Sequence, residues 1–227
     1  MERFFDILFS LIALLLFSPM LLLISIMLKF TGEGEVFFLQ ERIGRDGRKF
    51  NLYKFVTMLK DSPNIGTGTV TVKDDPRVLP LGKFLRKTKV NELPQLLNIF
   101  CGDMSLIGPR PLTAKTFTVY PEHIQSRIRQ VRPGLSGVGS IIFRSEEEIM
   151  HGEAASVEFY SRVIAPYKGS LEEWFVLNKS LNIYFLAIFA TMWSVLFPST
   201  QIAWRIFKDL PVPPVELKKE INYTDTA

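Results

Sequence analysis

Cysteine and histidine are nearly missing from this chain of 227 residues. The single cysteine, Cys101, excludes an internal disulfide and is compatible with a reducing compartment. The two histidines, His123 and His151, stand far apart, which argues against a histidine metal cluster or a histidine acid–base relay. There is no internal repeat, no low-complexity tract and no recognised nucleic-acid-binding module. The N-terminus is nearly neutral (MERFFD), and no small-residue cleavage site follows it, so it does not read as a signal peptide.

What the chain does have is apolar length and positive charge. Hydrophobic residues make up 47% and mean hydropathy is +0.17, with a net charge of +4 and a pI of about 9.1. The charge suits an anionic partner: a membrane surface, a nucleotide or a nucleic acid. Two stretches carry no charge at all: residues 7–28 and residues 180–204. The first is long enough to cross a hydrocarbon core of about 30 Å as a helix. Ser18-Pro19 interrupts it at its midpoint, where proline removes one backbone hydrogen bond and Ser18 can satisfy a freed carbonyl. Two forms follow, a kinked spanning helix or a hairpin that enters and leaves through one leaflet. In either form the cations after it (Lys29, Arg42, Arg45, Arg48, Lys49, Lys54) place the globular part on the cytoplasmic side.

Residues 35–58 read as a β-hairpin turning at Asp46-Gly47, with Gly32 and Gly34 marking the exit from the apolar segment. Residues 61–68 are loop-like and residues 69–72 a short strand. Asp74-Asp75-Pro76 reads as a cap on a basic helix, with metal ligation the less favoured alternative, and Arg77, Lys83, Arg86 and Lys87 are candidates for a lipid-facing surface. Residues 83–112 (KFLRKTKVNELPQLLNIFCGDMSLIGPRPL) then bring cations, the Asn91-Glu92 pair and a rigid Gly-Pro-Arg-Pro turn together. Such a set suits a diphosphate and a divalent metal, or else forms a basic helix and a proline turn on a soluble domain. The loop at residues 131–137 has glycines that permit close approach to a phosphate or make an ordinary turn. Residues 146–148 read as a solvated helix face. Residues 171–197 read as one helix, with Trp174, Trp193 and Trp204 as interfacial anchors and a second crossing as the alternative. Residues 211–227 read as a flexible tail.

In this order, the motifs resemble the bacterial sugar transferase family of monotopic polyprenol-phosphate phosphoglycosyl transferases. The resemblance runs from about residue 4 to residue 198. Its anchors are Phe5-Asp6, Ser18-Pro19, GEVFFLQERIG (34–44), Lys54-Phe55 with Thr57-Met58, FLRKT (84–88), ELPQL (92–96), GDMSLIGPRP (102–111), Arg132-Pro133-Gly134 and Arg144. It implies an α+β protein: a re-entrant helix–break–helix over residues 1–30, a catalytic domain with a β-hairpin and helices over residues 31–170, and amphipathic interface helices over residues 171–210. The chain would be the minimal catalytic form, on the cytoplasmic face of the bacterial inner membrane. The implied reaction transfers a phosphosugar from a UDP-sugar to polyprenol phosphate and releases UMP. Magnesium is the implied cofactor. The implied partners are the two substrates and the lipids of one leaflet, with a second copy of the chain as a candidate and no nucleic acid.

The resemblance also assigns residues. Glu92 would coordinate magnesium, with Asn91 beside it in the nucleophile's place. Arg110, fixed by Pro109 and Pro111, would clamp a phosphate, and Lys54, Arg86 and Arg144 would line the same site, while Ser18 and Pro19 shape the membrane break. One residue departs from the family pattern, which has an Asp where Asn91 stands. An amide oxygen is a poor nucleophile and forms no acyl phosphate. Four explanations stand: another carboxylate such as Glu92 takes over; the lipid phosphate attacks directly; the chain is a silent scaffold that binds lipid or nucleotide sugar; or an engineered Asp-to-Asn replacement is present. An otherwise usual Arg is also replaced, by Val56.

Overall fold

The computed structural model describes residues 1–65, 75–144, 157–197 and 202–223. It is a mixed helix-and-sheet protein. Helix α1 (Glu2–Phe30) leads into a hairpin of β1 (Phe37–Ile43) and β2 (Lys49–Phe55), paired antiparallel from Phe37 opposite Phe55 to Ile43 opposite Lys49. Asp46 (φ 57°) and Gly47 (φ 74°) make the turn, as the Asp-Gly signal predicts. After α2 (Pro80–Lys87) and α3 (Gln95–Cys101), β3 (Ser105–Ile107) precedes α4 (Ala114–Phe117) and α5 (Glu122–Ile128). Strand β4 (Gly134–Ser136) pairs in parallel with β3 and runs into α6 (Val138–Ile142). A π-helical turn (Tyr160–Ile164) opens α7 (Ala165–Leu177), which is followed by α8 (Leu181–Leu196), α9 (Ile202–Ile206) and α10 (Val215–Lys218). The largest apolar cluster gathers Val138, Ile142, Ile164, Leu171, Phe175, Tyr184, Phe207, Leu217 and Ile221.

Helix α1 is continuous through Pro19, so the expected break in the helix is absent. The compensation is local: the amide hydrogen that proline lacks would have reached Leu15 O, and the Ser18 hydroxyl donates to that same carbonyl at 2.8 Å. The two ends of α1 pack on the body. Near the start, Arg3 donates to Ile99 O (2.5 Å) and Phe100 O (2.7 Å). Buried Asp6 accepts from Ser105 Oγ, Leu106 N–H and Tyr184 OH, each at 2.9 Å. Near the end, Ile24 and Leu28 are buried with Phe55 and Leu85. Between them Leu15, Leu16, Phe17, Ser18 and Pro19 are all exposed.

Several expectations for the rest of the chain are corrected. Asp75 does not cap α2, which begins at Pro80 behind an uncapped Leu79. It forms a buried ion pair with Arg77 (Nη2–Oδ2 2.5 Å), and Arg77 also donates to Ser62 O and Ile65 O. Arg77 is therefore a buried strut instead of a surface cation. The long C-terminal helix is two helices, because Ser180 caps α8 by accepting from Ile183 N–H while Asn178 ends α7 by donating to Trp174 O. Trp174 is not an interfacial anchor. It is buried edge-on against Phe207. Nor are residues 211–223 a loose tail: Leu217 and Ile221 are buried, and Tyr167 OH donates to Pro211 O. Their polar letters concealed an apolar pair four residues apart, brought together where Ile221 N–H donates to Leu217 O (3.0 Å) in the turn that follows α10. Asp74, the strand expected at residues 69–72, His151, residues 146–148, Pro198 and the last four residues lie outside the described residues.

Candidate functional site

The connection between α2 and α3 is short and sharply bent. Lys89 takes a left-handed conformation (φ 59°), and a single 3-10 turn over Val90–Glu92 delivers the chain to α3. The geometry buries Asn91 and leaves Glu92 half-buried at the rim of a cleft. Buried Asn98 locks α3 to the hairpin by donating to Asn51 O (2.8 Å) and accepting from Tyr53 N–H (3.0 Å). This lock fixes Lys54 on β2 relative to the Glu92 turn. Lys54 Nζ lies 3.0 Å from Glu92 Oε1.

The third wall is the Gly-Pro-Arg-Pro turn after β3. Gly108 and Gly134 press together so closely that a Cβ on Gly134 would lie 2.1 Å from Gly108 N, and one on Gly137 would lie 2.2 Å from Gly108 O. The close backbone approach read into residues 131–137 is thus an approach to the chain itself. The backbone of the turn is tied off group by group. Pro109 O accepts from Gly134 N–H (2.8 Å), Arg110 N–H donates to Glu172 Oε1 (3.3 Å), Pro111 O accepts from Arg42 Nη1 (3.0 Å) and Leu112 O accepts from Ile43 N–H (2.9 Å). The two prolines are buried while the Arg110 side chain is exposed.

One cleft is therefore lined by Arg42, Leu52, Lys54, Glu92, Gln95, Arg110, Pro111, Gly134 and Leu135. Of the residues expected at the site, Lys54, Glu92, Arg110 and Pro111 meet here, and Pro109 holds the turn from behind. Arg86 is on α2 with its Nη1 3.9 Å from Met58 Sδ, and it is not among the lining residues. Arg144 follows α6, and among the described residues no hydrogen bond or ion pair joins it to the cleft; burial lowers its pKa. Arg42, Gln95 and Glu172 carried no role at the site in the sequence reading. For Arg42 and Gln95 the signal lay inside GEVFFLQERIG and ELPQL, motifs noted as wholes. Glu172 had no signal, since a Glu in an apolar helix next to Glu173 reads as surface.

The cleft is positive overall, with Arg42, Lys54 and Arg110 against Glu92. Burial alone would raise the Glu92 carboxyl, but the Lys54 ammonium, Arg110 and Lys89 outweigh it and hold the group at about 2. Lys54 is lowered, because burial and the neighbouring arginines exceed what Glu92 returns. Arg42 is lowered to about 10 by burial and by Arg110. The carboxylate is a permanent anion, and the three cations together are undercompensated. Such a cleft is built to receive a multiply charged anion.

For the implied magnesium, the donor set is one carboxylate, Glu92, and beside it the buried Asn91 Oδ1, which has no hydrogen-bond partner. Among the described residues no cluster of three or more His, Cys, Asp or Glu exists. A buried amide oxygen without a donor is costly unless something else occupies it. These residues fit a magnesium ion that draws most of its shell from water and substrate phosphates, and do not fit a protein-made cage.

The two-stranded hairpin and the proline-braced turn thus converge on a cleft with three cations and one carboxylate, in a chain whose N-terminal helix is long and apolar. The chain belongs to the bacterial sugar transferase family, which matches residues 1–198. It is 38% identical over 159 residues to the exopolysaccharide production protein ExoY of Rhizobium meliloti (strain 1021), covering 64% of this chain and 70% of that protein. It is 36% identical over 200 residues to the UDP-N-acetylgalactosamine-undecaprenyl-phosphate N-acetylgalactosaminephosphotransferase of Aeromonas hydrophila, covering 86% of this chain and 43% of that one. Against the UDP-glucose:undecaprenyl-phosphate glucose-1-phosphate transferase of Escherichia coli (strain K12) it is 34% identical over 192 residues, covering 83% and 39%.

Proposed function

We propose that this protein transfers a phosphosugar from a UDP-sugar to polyprenol phosphate, releasing UMP, as the initiating membrane step of a surface glycan. The observation that carries the reading is the convergence of Arg42, Lys54 and Arg110 with the single carboxylate of Glu92 in one cleft. Three cations against one anion match the diphosphate of the donor. Relatives named for this reaction make the same chemistry the first to test.

Asn91 and Glu92 together favour direct displacement. Asn91 cannot form an acyl phosphate, and Glu92 is ion-paired and too weakly basic to be a good nucleophile. A phosphate oxygen of the acceptor, already anionic near neutral pH, attacks the β-phosphorus of the donor. The new P–O bond forms as the bond from the β-phosphorus to the bridging oxygen breaks. UMP leaves with that oxygen, and no general base is required. Arg110 and Arg42 stabilise charge on the diphosphate, while Lys54 neutralises Glu92 and the departing oxygen. When bound, magnesium would be held by Glu92 and the Asn91 amide oxygen and would neutralise charge on the phosphates.

The membrane placement follows from α1. A helix crossing the bilayer would put residues 3–6 and 24–28 on opposite sides, yet both sets pack on one body. This supports insertion from one leaflet, with exposed residues 15–19 facing the lipid and the cleft on the cytoplasmic face. In sealed vesicles, single cysteines at Glu2 and Thr31 in a Cys101→Ser background should both label from the same side. Labelling from opposite sides would refute this topology.

The reaction is tested by offering a panel of UDP-sugars with magnesium, with and without undecaprenyl phosphate. UMP should appear only when the acceptor is present. Stoichiometric UMP with a sugar-phosphate adduct in its absence would establish a covalent route instead. Binding of UDP-sugar with no UMP under any condition would replace the transferase by a silent scaffold.

A further inference from the structure

Behind the phosphate-binding turn lies a buried carboxyl that the proposed reaction does not use. Glu172, on α7, is 2% exposed. Its Oε1 accepts the Arg110 N–H, and its Oε2 is buried with no partner. The room for it is made by Gly139 on α6, where a Cβ would come within 2.6 Å of Glu172 Oε1. Among the described residues the charged groups facing it are Arg110 from the turn and Lys168, one turn earlier on α7, and α6 brings Gly139 against it.

An amide N–H is satisfied by any buried carbonyl or hydroxyl, and a carboxyl is the most expensive acceptor to bury. Its placement makes sense if this peptide must be held tightly. The Arg110 side chain projects into the cleft, where its charge acts on Glu92, Lys54 and Arg42, while its N–H points the other way, into the core. The other three groups of the turn are bonded to backbone or to Arg42, and Glu172 takes the Arg110 N–H from behind.

We infer that Glu172 is a positioning residue for the donor diphosphate: by accepting the Arg110 N–H it fixes the direction in which the Arg110 guanidinium enters the cleft. The inference rests on the cleft being a diphosphate site. Stranding a buried peptide N–H by removing its acceptor is costly enough to be felt about tenfold at the ligand.

The test is a double-mutant cycle between Glu172 and Arg110, read as the dissociation constant for UDP by calorimetry at constant pH and magnesium. Glu172→Gln keeps the shape and an acceptor oxygen and is expected to weaken UDP about threefold. Glu172→Leu removes the acceptor and is expected to weaken it about tenfold. In the Arg110→Ala background neither change should weaken UDP further, because the guanidinium being positioned is gone. A merely structural role predicts the same loss in both backgrounds, and that result overturns the inference. So does an affinity equal to wild type in the Gln and Leu variants, and the near-isosteric Gln variant decides the matter by itself if the Leu variant does not fold. Wild type failing to bind UDP would overturn the diphosphate reading of the cleft and this inference with it. UDP binding with uncoupled variants removes only the inference.

Discussion

Replacing Glu92 by Gln is the sharpest perturbation of the cleft, because it removes one charge and little volume. The carboxyl is held at about 2 against an ordinary 4.5. At about 1.4 kcal/mol per pH unit, that difference makes the ionised group stabilising by at most about 3 kcal/mol at neutral pH. The side chain is 21% exposed, so water screens part of this and the figure is an upper bound. For a chain of this size the loss corresponds to a melting temperature lowered by about 5–10 °C. The sign with pH is definite. A depressed folded pKa gives stability that is complete above about 4.5 and disappears as pH falls toward about 2. The gap between wild type and Glu92→Gln should therefore be full at pH 7.5 and shrink across that acid window. Thermal unfolding in detergent at pH 7.5, 4.5 and 3 measures it. Equal melting at pH 7.5, or a gap that does not change down to pH 3, would refute the ion-pair reasoning. The same variant should lose turnover while binding UDP without magnesium at least as well as wild type, since the cleft becomes more positive. Normal turnover with magnesium would remove Glu92 as the metal ligand.

Three further outcomes are expected. Burial raises the Glu172 carboxyl to about 7, despite the Arg110 N–H and Lys168, so wild type should lose stability as pH rises from about 4.5 to about 7. Glu172→Gln escapes that loss, and in thermal melts it should gain on wild type by up to about 3 kcal/mol between pH 4.5 and pH 8; a constant difference would contradict the burial argument. Asp6→Ala strands the donors of Ser105, Leu106 and Tyr184, costing about 3 kcal/mol, with Asp6→Asn losing less; chemical denaturation that ranks them otherwise would deny the latch. Gly134→Ala forces a Cβ into Gly108 N and Ser136 O and should prevent accumulation of folded protein, whereas Gly34→Ala meets only Lys29 O at 3.5 Å and should cost about 1 kcal/mol through its positive φ; similar expression and melting for both would be inconsistent with the packed turn.

How legible the site was depended on whether each residue worked within its own segment. Lys54, Glu92 and the Gly-Pro-Arg-Pro turn stood out because unusual residues were crowded together in sequence. The hairpin and its Asp-Gly turn were readable for the same reason, since turn chemistry is local. Glu172 was not legible at all. Its meaning depends on α7 packing against α6 and on the turn lying beneath it, 62 residues away in the chain. Trp174 misled in the opposite direction, because an aromatic near cations has the same letters whether it faces headgroups or Phe207.

Local chemistry by itself therefore determined the family, the apolar N-terminal helix, the hairpin and the list of phosphate-binding candidates. It also exposed the departure at Asn91, since whether a side chain can form an acyl phosphate is a property of the residue type. Tertiary structure decided which cations face one another, separating Lys54, Arg42 and Arg110 from Arg86 and Arg144. It also decided that both ends of α1 rest on one body and that Leu217 and Ile221, beyond Leu210, are core. Those are questions of distance between remote segments, settled by burial and by the few backbone groups that needed partners, such as the N–H of Arg110.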